Sequence, residues 1–332
     1  MPIVPRPRLP RRTRHAGAVT APAPERTQPR IERLEHAGLN WINVPEPSML
    51  ERAWLAEHYD FHALDLEDVT SRNQRPKIDE YPDYLFIVLH FPVFDKSVGR
   101  LNAGELDLFV GPDFVITLPN QPLKPVEYLF ERCRVSEDLR DQYFSKGSGY
   151  LLYLIVDQSF DYCFPMLRKI GNKLEQLEEE IFSGRSEEIV RDISNVKQEI
   201  INFRKIIRPQ RAVLRDLERT KQRYLDPDME IYFDDIVDAS ERIWDMLENY
   251  KEVVVALEET NESVISHRVN DILRVLTAIS VVVLPLTFIA SLFGMNTAVP
   301  GEEGIGAFWA IVAVMVVMFG GMIGYFKHRG WL

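Results

Sequence analysis

VLTAISVVVLPLTFIASLF, residues 275–293, is a run of 19 residues without a charged side chain, and IGAFWAIVAVMVVMFGGMIGYF, residues 305–326, is another of 22. An α-helix rises about 1.5 Å per residue, so about 20 apolar residues cross ~30 Å of hydrocarbon. Both runs reach that length, and no other stretch of the 332-residue chain does. Helices apolar on every face are rare outside membranes. The pair therefore reads as two membrane spans near the C-terminal end, attached to a large polar N-terminal part.

The flanks of these runs set an orientation. Arg268 and Arg274 precede the first run, and Lys327, His328 and Arg329 follow the second. The eleven residues between, Gly294–Gly304, hold no Lys or Arg but do hold Glu302 and Glu303. Basic residues stay on the cytoplasmic side, so both termini are expected inside a multi-pass protein of the cell (inner) membrane, with the short loop outside. The N-terminus carries no apolar signal core, in agreement with a cytoplasmic start. With 39 Lys plus Arg against 50 Asp plus Glu, the chain has net charge −11, which argues against nucleic acid as a partner. Two cysteines, Cys133 and Cys163, exclude a disulfide framework and an all-cysteine zinc site. They read as small buried apolar residues.

Composition then divides the chain. Residues 1–30 hold seven Pro, seven Arg and one acidic residue, and read as a disordered tail with at most a weak attraction to anionic lipid. Residues 31–150 read as an α/β domain on the cytoplasmic side. Strands are expected at Asn40–Val44 and Tyr84–Val93, a hairpin at Glu105–Val110 and Phe114–Leu118 around Gly111-Pro112-Asp113, and a helix over Met49–Tyr59 behind Pro47 and Ser48. Residues 151–271 read as a helical stalk, with helices at Leu151–Phe182 and Glu187 to about Ile207 and a further helical stretch before Pro227. Beyond that proline, apolar residues recur at Tyr232, Ile236, Ala239, Ile243, Met246, Tyr250, Val253 and Leu257, steps of 4 and 3 that describe a bundle or coiled-coil seam. No proline interrupts Asp228–Leu284, so this helix is expected to run on into the first span, roughly 100 Å from Met229 to Phe293. The remaining boundaries are a first span at 272–293, an outer loop at 294–304, a second span at 305–326 and a basic cytoplasmic tail at 327–332.

Enzyme signatures are missing. The chain has no G-x-x-x-x-G-K-[ST], no G-x-G-x-x-G and no H-E-x-x-H, so it reads as a non-enzyme without a cofactor. Ser145-Lys146-Gly147-Ser148-Gly149 reads as a linker. His58 and His62, four apart, could share a helix face but lack a third ligand nearby, and read as surface histidines. Glu178-Glu179-Glu180 reads as a solvated helix face. The informative stretch is Phe293-Gly294-Met295-Asn296 at the end of the first span. An amide there offers a neutral carbonyl oxygen, and Gly294 permits close backbone approach. Several copies around an axis would form a ring of oxygen dipoles. Such a ring suits Mg²⁺, which gives up its waters reluctantly, because amides can bond those waters without stripping them.

At these residues the chain resembles the CorA family of divalent-cation channels. The resemblance runs through Asn270, Leu276-Thr277, Leu284-Pro285-Leu286-Thr287, Gly294-Met295-Asn296 and Pro300. In the polar part it runs through His62-Ala63-Leu64-Asp65-Leu66-Glu67-Asp68, Arg75-Pro76-Lys77, Tyr84-Leu85-Phe86-Ile87-Val88, Phe109-Val110-Gly111 and Val115-Ile116-Thr117. It implies a funnel-shaped homopentamer: an α/β cytoplasmic domain, a long helical stalk and two C-terminal transmembrane helices, the first lining the pore. It also implies a selectivity filter at Gly294, Met295 and Asn296, with Asn296 meeting the metal, and pore-facing positions at Asn270, Leu273, Leu276, Leu284 and Thr287. The leucines suit a constriction that gates by dewetting. Mg²⁺ would then be both substrate and regulator, held between subunits in the closed state, with Asp235 on the long helix as one regulatory ligand. Where many members carry M-P-E after the filter, this chain has Thr297-Ala298-Val299-Pro300-Gly301-Glu302-Glu303, leaving Glu302 and Glu303 to draw cations to the mouth.

The function expected is passive, gradient-driven Mg²⁺ influx, with the bilayer, divalent cations and further copies of the chain as partners. The alternative is Zn²⁺, Co²⁺ or Ni²⁺ on the same architecture. Softer ions prefer imidazole or thiolate, and neither span holds His or Cys. A two-span signalling anchor is the remote alternative.

Overall fold

A computed structural model describes residues 26–71, 74–95, 99–182, 186–220, 225–226, 228–295 and 305–331. Strands β1 (Glu32–His36) and β2 (Leu39–Asn43) form a hairpin. Its two turn residues, Ala37 and Gly38, have φ of 51° and 83°, the left-handed pair that matches strand twist in a tight hairpin. Helices α1 (Met49–His58) and α2 (Ala63–Asp68) follow, then β3 (Lys77–Glu80), β4 (Leu85–Asp95), β5 (Arg100–Val110) and β6 (Phe114–Pro119). The sheet order is β1-β2-β6-β5-β4-β3, antiparallel except for the β2–β6 pair.

β4 and β5 pair over their whole length, Leu85 opposite Val110 to Asp95 opposite Arg100. Leu85, Ile87 and Leu89 point into the core shared with the helical part, while Phe86 and Val88 point into a second core under α1 and α2. A strand covered on both faces reads as a continuous apolar run, which is why YLFIVLHF shows no alternation. The expected helix behind Ser48 is present: the Ser48 hydroxyl accepts the Leu50 N–H at 3.2 Å as an N-cap. At the start of the described residues, Arg26 pairs with Glu46 at 2.9 Å and the Arg30 N–H donates to Glu51 at 2.8 Å, tying residues 26–30 to α1. The other residues assigned to a disordered tail, 1–25, lie outside the described residues.

The helical part is α3 (Lys124–Val135), α4 (Glu137–Phe144), α5 (Gly147–Asp161), α6 (Cys163–Ile181), α7 (Ser186–Arg219), α8 (Met229–Phe293) and α9 (Ile305–His328). Three expectations are corrected here. The single helix expected over 151–182 is two, α5 and α6, broken at Tyr162. Pro165 sits in the first turn of α6, where its missing N–H costs nothing, so the proline marks a helix start. The Ser145–Gly149 linker is shorter than expected. The chain turns at Gly147, with φ of +85°, and Ser148 and Gly149 are already buried in α5. A Cβ on Gly149 would come within 2.8 Å of Leu225 and 3.2 Å of Met229, so this glycine sets how closely α5 approaches the start of α8. Finally, α7 does not stop near Ile207 but continues through Pro209 to Arg219.

Contacts on both sides hold α7 across the bond that Pro209 removes. The side chain of Gln210 accepts the His90 N–H at 3.0 Å and donates to the His90 carbonyl at 2.7 Å. β3 covers only Leu85–Val88 of β4, so Gln210 stands in for a strand partner on the uncovered edge. On the opposite side Arg211 and Arg215 share Glu241 of α8.

α8 has the expected extent, 65 residues without a break, including Pro285. Its seam is corrected in part. The buried stripe is Met229, Phe233, Ile236, Ala239, Ser240, Ile243, Leu247, Val254, Leu257 and Asn261, which includes Ile236, Ala239, Ile243 and Leu257 of the expected seam. Tyr232, Met246, Tyr250 and Val253 flank it, half-buried. The stripe is filled by α5, α6 and α7 of the same chain, so its periodicity records packing within one subunit rather than a demand for others.

Replacing Gln210 with Leu should leave two buried backbone groups of His90 unpaired, at a cost of about 1–3 kcal/mol. Hydrogen exchange at His90 should speed up in Gln210→Leu while the β4–β5 amides keep their protection. Unchanged exchange at His90 would show that the clamp is dispensable.

Candidate ion pathway

α9 lies against α8 through Ala278, Val282 and Leu286 on one side and Met322 and Phe326 on the other. At about 100° per residue, those α8 positions centre about 180° from Leu273. Asn270, Leu276, Leu284 and Thr287 all fall within about 60° of Leu273. The five pore-facing candidates therefore occupy one stripe, opposite the α9 contact, and all five are exposed, Leu276 at 58% and Leu284 at 67%.

The stripe holds hydroxyls beside Thr287, those of Thr277 and Ser280, that were not assigned to the pore from the sequence. Thr277 donates to the Leu273 carbonyl at 2.7 Å, Ser280 to Leu276 at 2.9 Å and Thr287 to Val283 at 2.9 Å. Each hydroxyl proton is satisfied one turn back, which leaves the oxygen lone pairs facing outward. The signal was readable: Asn270, Leu273, Thr277, Ser280, Leu284, Thr287 and Ser291 recur at steps of 3 and 4 inside an otherwise aliphatic run.

Gly294 caps α8, its N–H donating to the Ala290 carbonyl at 3.0 Å. Its φ of −88° is ordinary, and a Cβ there would meet the Ala290 oxygen at 3.1 Å. Met295 is half exposed, at 53%. Asn296, Pro300, Glu302 and Glu303 lie outside the described residues.

Asp235 lies on the exposed face near the start of α8 and accepts the Tyr153 hydroxyl of α5 at 3.1 Å. Burial, then the charges of Asp161 and Asp235, push the Asp157 carboxyl of α5 up to about 6, against the pull of Arg242. Asp157, Asp161 and Asp235 thus share a field of net negative charge that Arg242 offsets only in part. Asp234, next in sequence, is exposed and makes no hydrogen bond or ion pair among the described residues. Within one chain, and among the described residues, no three His, Cys, Asp or Glu side chains are gathered to hold a metal.

His58 and His62 are surface histidines, as expected: both are exposed, His58 ends α1 stacked on Trp54 at 4.3 Å, and His62 caps α2 by accepting the Leu64 N–H at 3.3 Å, so the two share no helix face. Cys133 and Cys163 are free and buried, and Glu178–Glu180 are exposed, as expected.

A sheet domain standing on one long helix that becomes apolar, with a second apolar helix against it, defines a two-span membrane protein with its polar mass on one side. The family model described as CorA-like Mg²⁺ transporter protein matches residues 36–328, and the chain belongs to that family of divalent-cation channels and transporters. It is 30% identical over 296 residues to the cobalt/magnesium transport protein CorA of Thermotoga maritima, covering 88% of this chain and 83% of that one. It is 30% identical over 307 residues to a putative metal ion transporter of Bacillus subtilis, covering 91% and 93%. The fold superposes on the complete CorA magnesium transporter of Methanocaldococcus jannaschii with a TM-score of 0.78, at 22% identity over 90% of this chain and 93% of that one.

Asp157 binds its proton more tightly folded than unfolded, so its charge destabilises the fold above about pH 6, and the penalty fades as pH falls through 6 toward 3.8. In chelator, Asp157→Asn should raise the melting temperature at pH 7.5 and lose that advantage by about pH 4. A gain independent of pH, or none at pH 7.5, would show that the carboxyl is not strained.

Proposed function

We propose that the chain is one subunit of a homopentameric Mg²⁺ channel of the cell (inner) membrane, with both termini cytoplasmic, passing Mg²⁺ inward down its electrochemical gradient. The observation that carries this reading is the free stripe of α8. One α8–α9 pair cannot enclose water, yet it leaves Asn270, Leu273, Leu276, Leu284 and Thr287 on a single face with nothing against them. Copies arranged about an axis would turn that face inward. The leucines then form the constriction, and Gly294, Met295 and Asn296 the outer filter, whose amides bond a hydrated ion. Glu302 and Glu303 raise the cation concentration at its mouth.

Gating follows from the carboxylates. Asp157 and Asp235 repel in the folded domain, and a divalent ion between them relieves the repulsion. A third ligand would come from a neighbouring subunit, so that bound Mg²⁺ favours the closed, symmetric assembly. Mg²⁺ is substrate and regulator in this reading, no other cofactor is involved, and the chain is a transporter rather than an enzyme. Its partners are its own copies, divalent cations and lipid. The Thermotoga relative is named for cobalt as well as magnesium, which makes Co²⁺ the competing substrate to test.

Native mass spectrometry in mild detergent should give a pentamer; a monomer would end the pore reading. In proteoliposomes, Asn296→Ala should keep the assembly but lower Mg²⁺ uptake by about tenfold or more, the equivalent of about 1.4 kcal/mol in barrier. Asn296→Asp should also fail, because a ring of charges holds the ion too strongly. Uptake at the wild-type rate in Asn296→Ala would place the filter elsewhere, and Co²⁺ uptake exceeding that of Mg²⁺ would favour the alternative ion.

Millimolar Mg²⁺ should protect residues 228–250 of α8 from proteolysis and hydrogen exchange, and Asp235→Ala should lose that protection. Equal protection in chelator would remove the sensor. Loss in Asp234→Ala but not Asp235→Ala would assign the role to the neighbouring carboxylate.

A further inference from the structure

The sheet domain holds a cavity of about 340 Å³ lined by five aromatic rings, Tyr59, Phe61, Tyr81, Tyr84 and Phe114, with Asp60, His62, Pro82 and Asp83. Tyr59 lies parallel to Phe61 at 5.0 Å with 2° between planes, and Phe61 lies on Phe109 at 4.1 Å. Tyr81 lies on Tyr84 at 4.5 Å, and Phe61 meets Tyr84 at 4.8 Å where the two stacks join. Phe114 closes a third side, 5.0 Å from Tyr59. Phe61, Phe109 and Tyr84 are buried, while Tyr59 and Tyr81 are half-buried and form the accessible rungs.

The surroundings make this cavity attractive to cations. Asp60 and Asp83 line its edge, both exposed, and neither has a hydrogen bond or ion pair among the described residues. The lining contains no Lys or Arg, and its one histidine, His62, lies stacked beside Tyr81 at 5.8 Å. Arg33, whose charge reaches Tyr59, is engaged by Asn40 at 2.8 Å and Glu35 at 3.1 Å, and Lys77 is held by Asp68 at 2.9 Å and by Asp79. Behind the wall, the buried Asp65 carboxylate accepts the Tyr84 hydroxyl at 2.9 Å and the Tyr81 hydroxyl at 3.3 Å. Phenols that donate to a carboxylate carry richer ring faces, which strengthens their attraction for a cation. The Tyr84 oxygen also accepts the His62 N–H at 2.8 Å, so α2 fixes the wall in place.

We infer that this cavity is a binding site for a guanidinium group. Guanidinium is planar and weakly hydrated, stacks on aromatic faces and bonds carboxylates through a fork of N–H groups, which a strongly hydrated metal ion cannot do. Stacking against Tyr59 or Tyr81 places that fork at Asp60 and Asp83. The site is independent of ion conduction: none of its residues lies on α8 or α9.

Calorimetry on the full-length protein in detergent, at fixed ionic strength, tests this with butylguanidinium, its neutral isostere butylurea, and an Arg-containing tripeptide amide. Butylguanidinium should bind saturably with a dissociation constant of about 1 mM or tighter, and butylurea about tenfold or more weaker. The Asp60→Asn/Asp83→Asn double variant changes only exposed groups and should weaken butylguanidinium about tenfold. Tyr81→Leu should do the same, while Tyr81→Phe, which keeps the ring, should retain most of the affinity. Tighter binding of the tripeptide would identify the guest as an arginine of a protein segment, and its exclusion would identify a free small molecule. Absence of saturable binding, equal affinity for butylurea, or an unchanged constant in the double variant would overturn the inference.

Discussion

The unbroken hydrogen-bond ladder of α8 is the constraint from which the rest of the structure follows. Backbone N–H and C=O groups cannot be left unpaired in hydrocarbon, so a chain entering a bilayer must already be helical or close into a barrel. α8 meets that condition by starting its helix well outside the apolar segment and never leaving it. Pro285 removes one N–H from the ladder, and the helix passes through it. The helix therefore connects Met229 to Leu276 and Leu284 with no break between them.

The two halves of that rod are stabilised differently. Its polar half is wedged by α5, α6 and α7 along an apolar stripe and fastened by charge pairs: Lys197 with Glu258 at 2.6 Å, Arg204 with Glu248, and Arg211 and Arg215 with Glu241. Each pair is partly exposed and contributes little alone. Together they fix the rotation of α8 about its axis, which decides where Asp235 and the free stripe point. The apolar half has only α9, through five residues. With no hydrophobic drive between helices in lipid, that contact is weak by comparison, and the open face is where neighbouring copies can add packing.

How much of this was legible in the sequence varied with what covered each element. α8 was legible to the residue because its length, its apolar end and the absence of helix breakers before Pro285 all agree. β4 and the β5–β6 hairpin were legible because both their faces are buried. β1 (ERLEH) and β3 (KIDE) were not, since as edge strands they bury little and carry charges. The helix break at Tyr162 was missed because the local signal of Pro165, which opens a helix, was read through, and the end of α7 was misplaced because tertiary contacts override Pro209, which fails to end one. The seam of α8 was read with the right period and partly shifted: Ile236, Ala239, Ile243 and Leu257 are on the buried stripe, but Tyr232 was chosen over its buried neighbour Phe233. Only the packing of α5, α6 and α7 selects between them. The stripe Asn270 to Thr287 was available in the sequence through its resemblance to a family, and its physical basis, the opposition to α9, is visible only once α9 is placed.

Asp157 shows why a strained carboxylate of this kind is hard to see in a sequence. Alone it is one of two acids on a largely apolar helix. Its carboxyl is strained because the fold buries it beside Asp161 and α8 then adds the charge of Asp235, so the same packing that raises its affinity for a proton also raises its affinity for a cation. Two carboxylates from one chain leave most of the shell of a hard divalent ion to water or to other ligands. On the proposed pentameric reading, completing that shell with groups from a neighbour would make cation binding depend on how the subunits stand to one another, and the continuous helix from Asp235 to Leu276 would carry that dependence to the constriction.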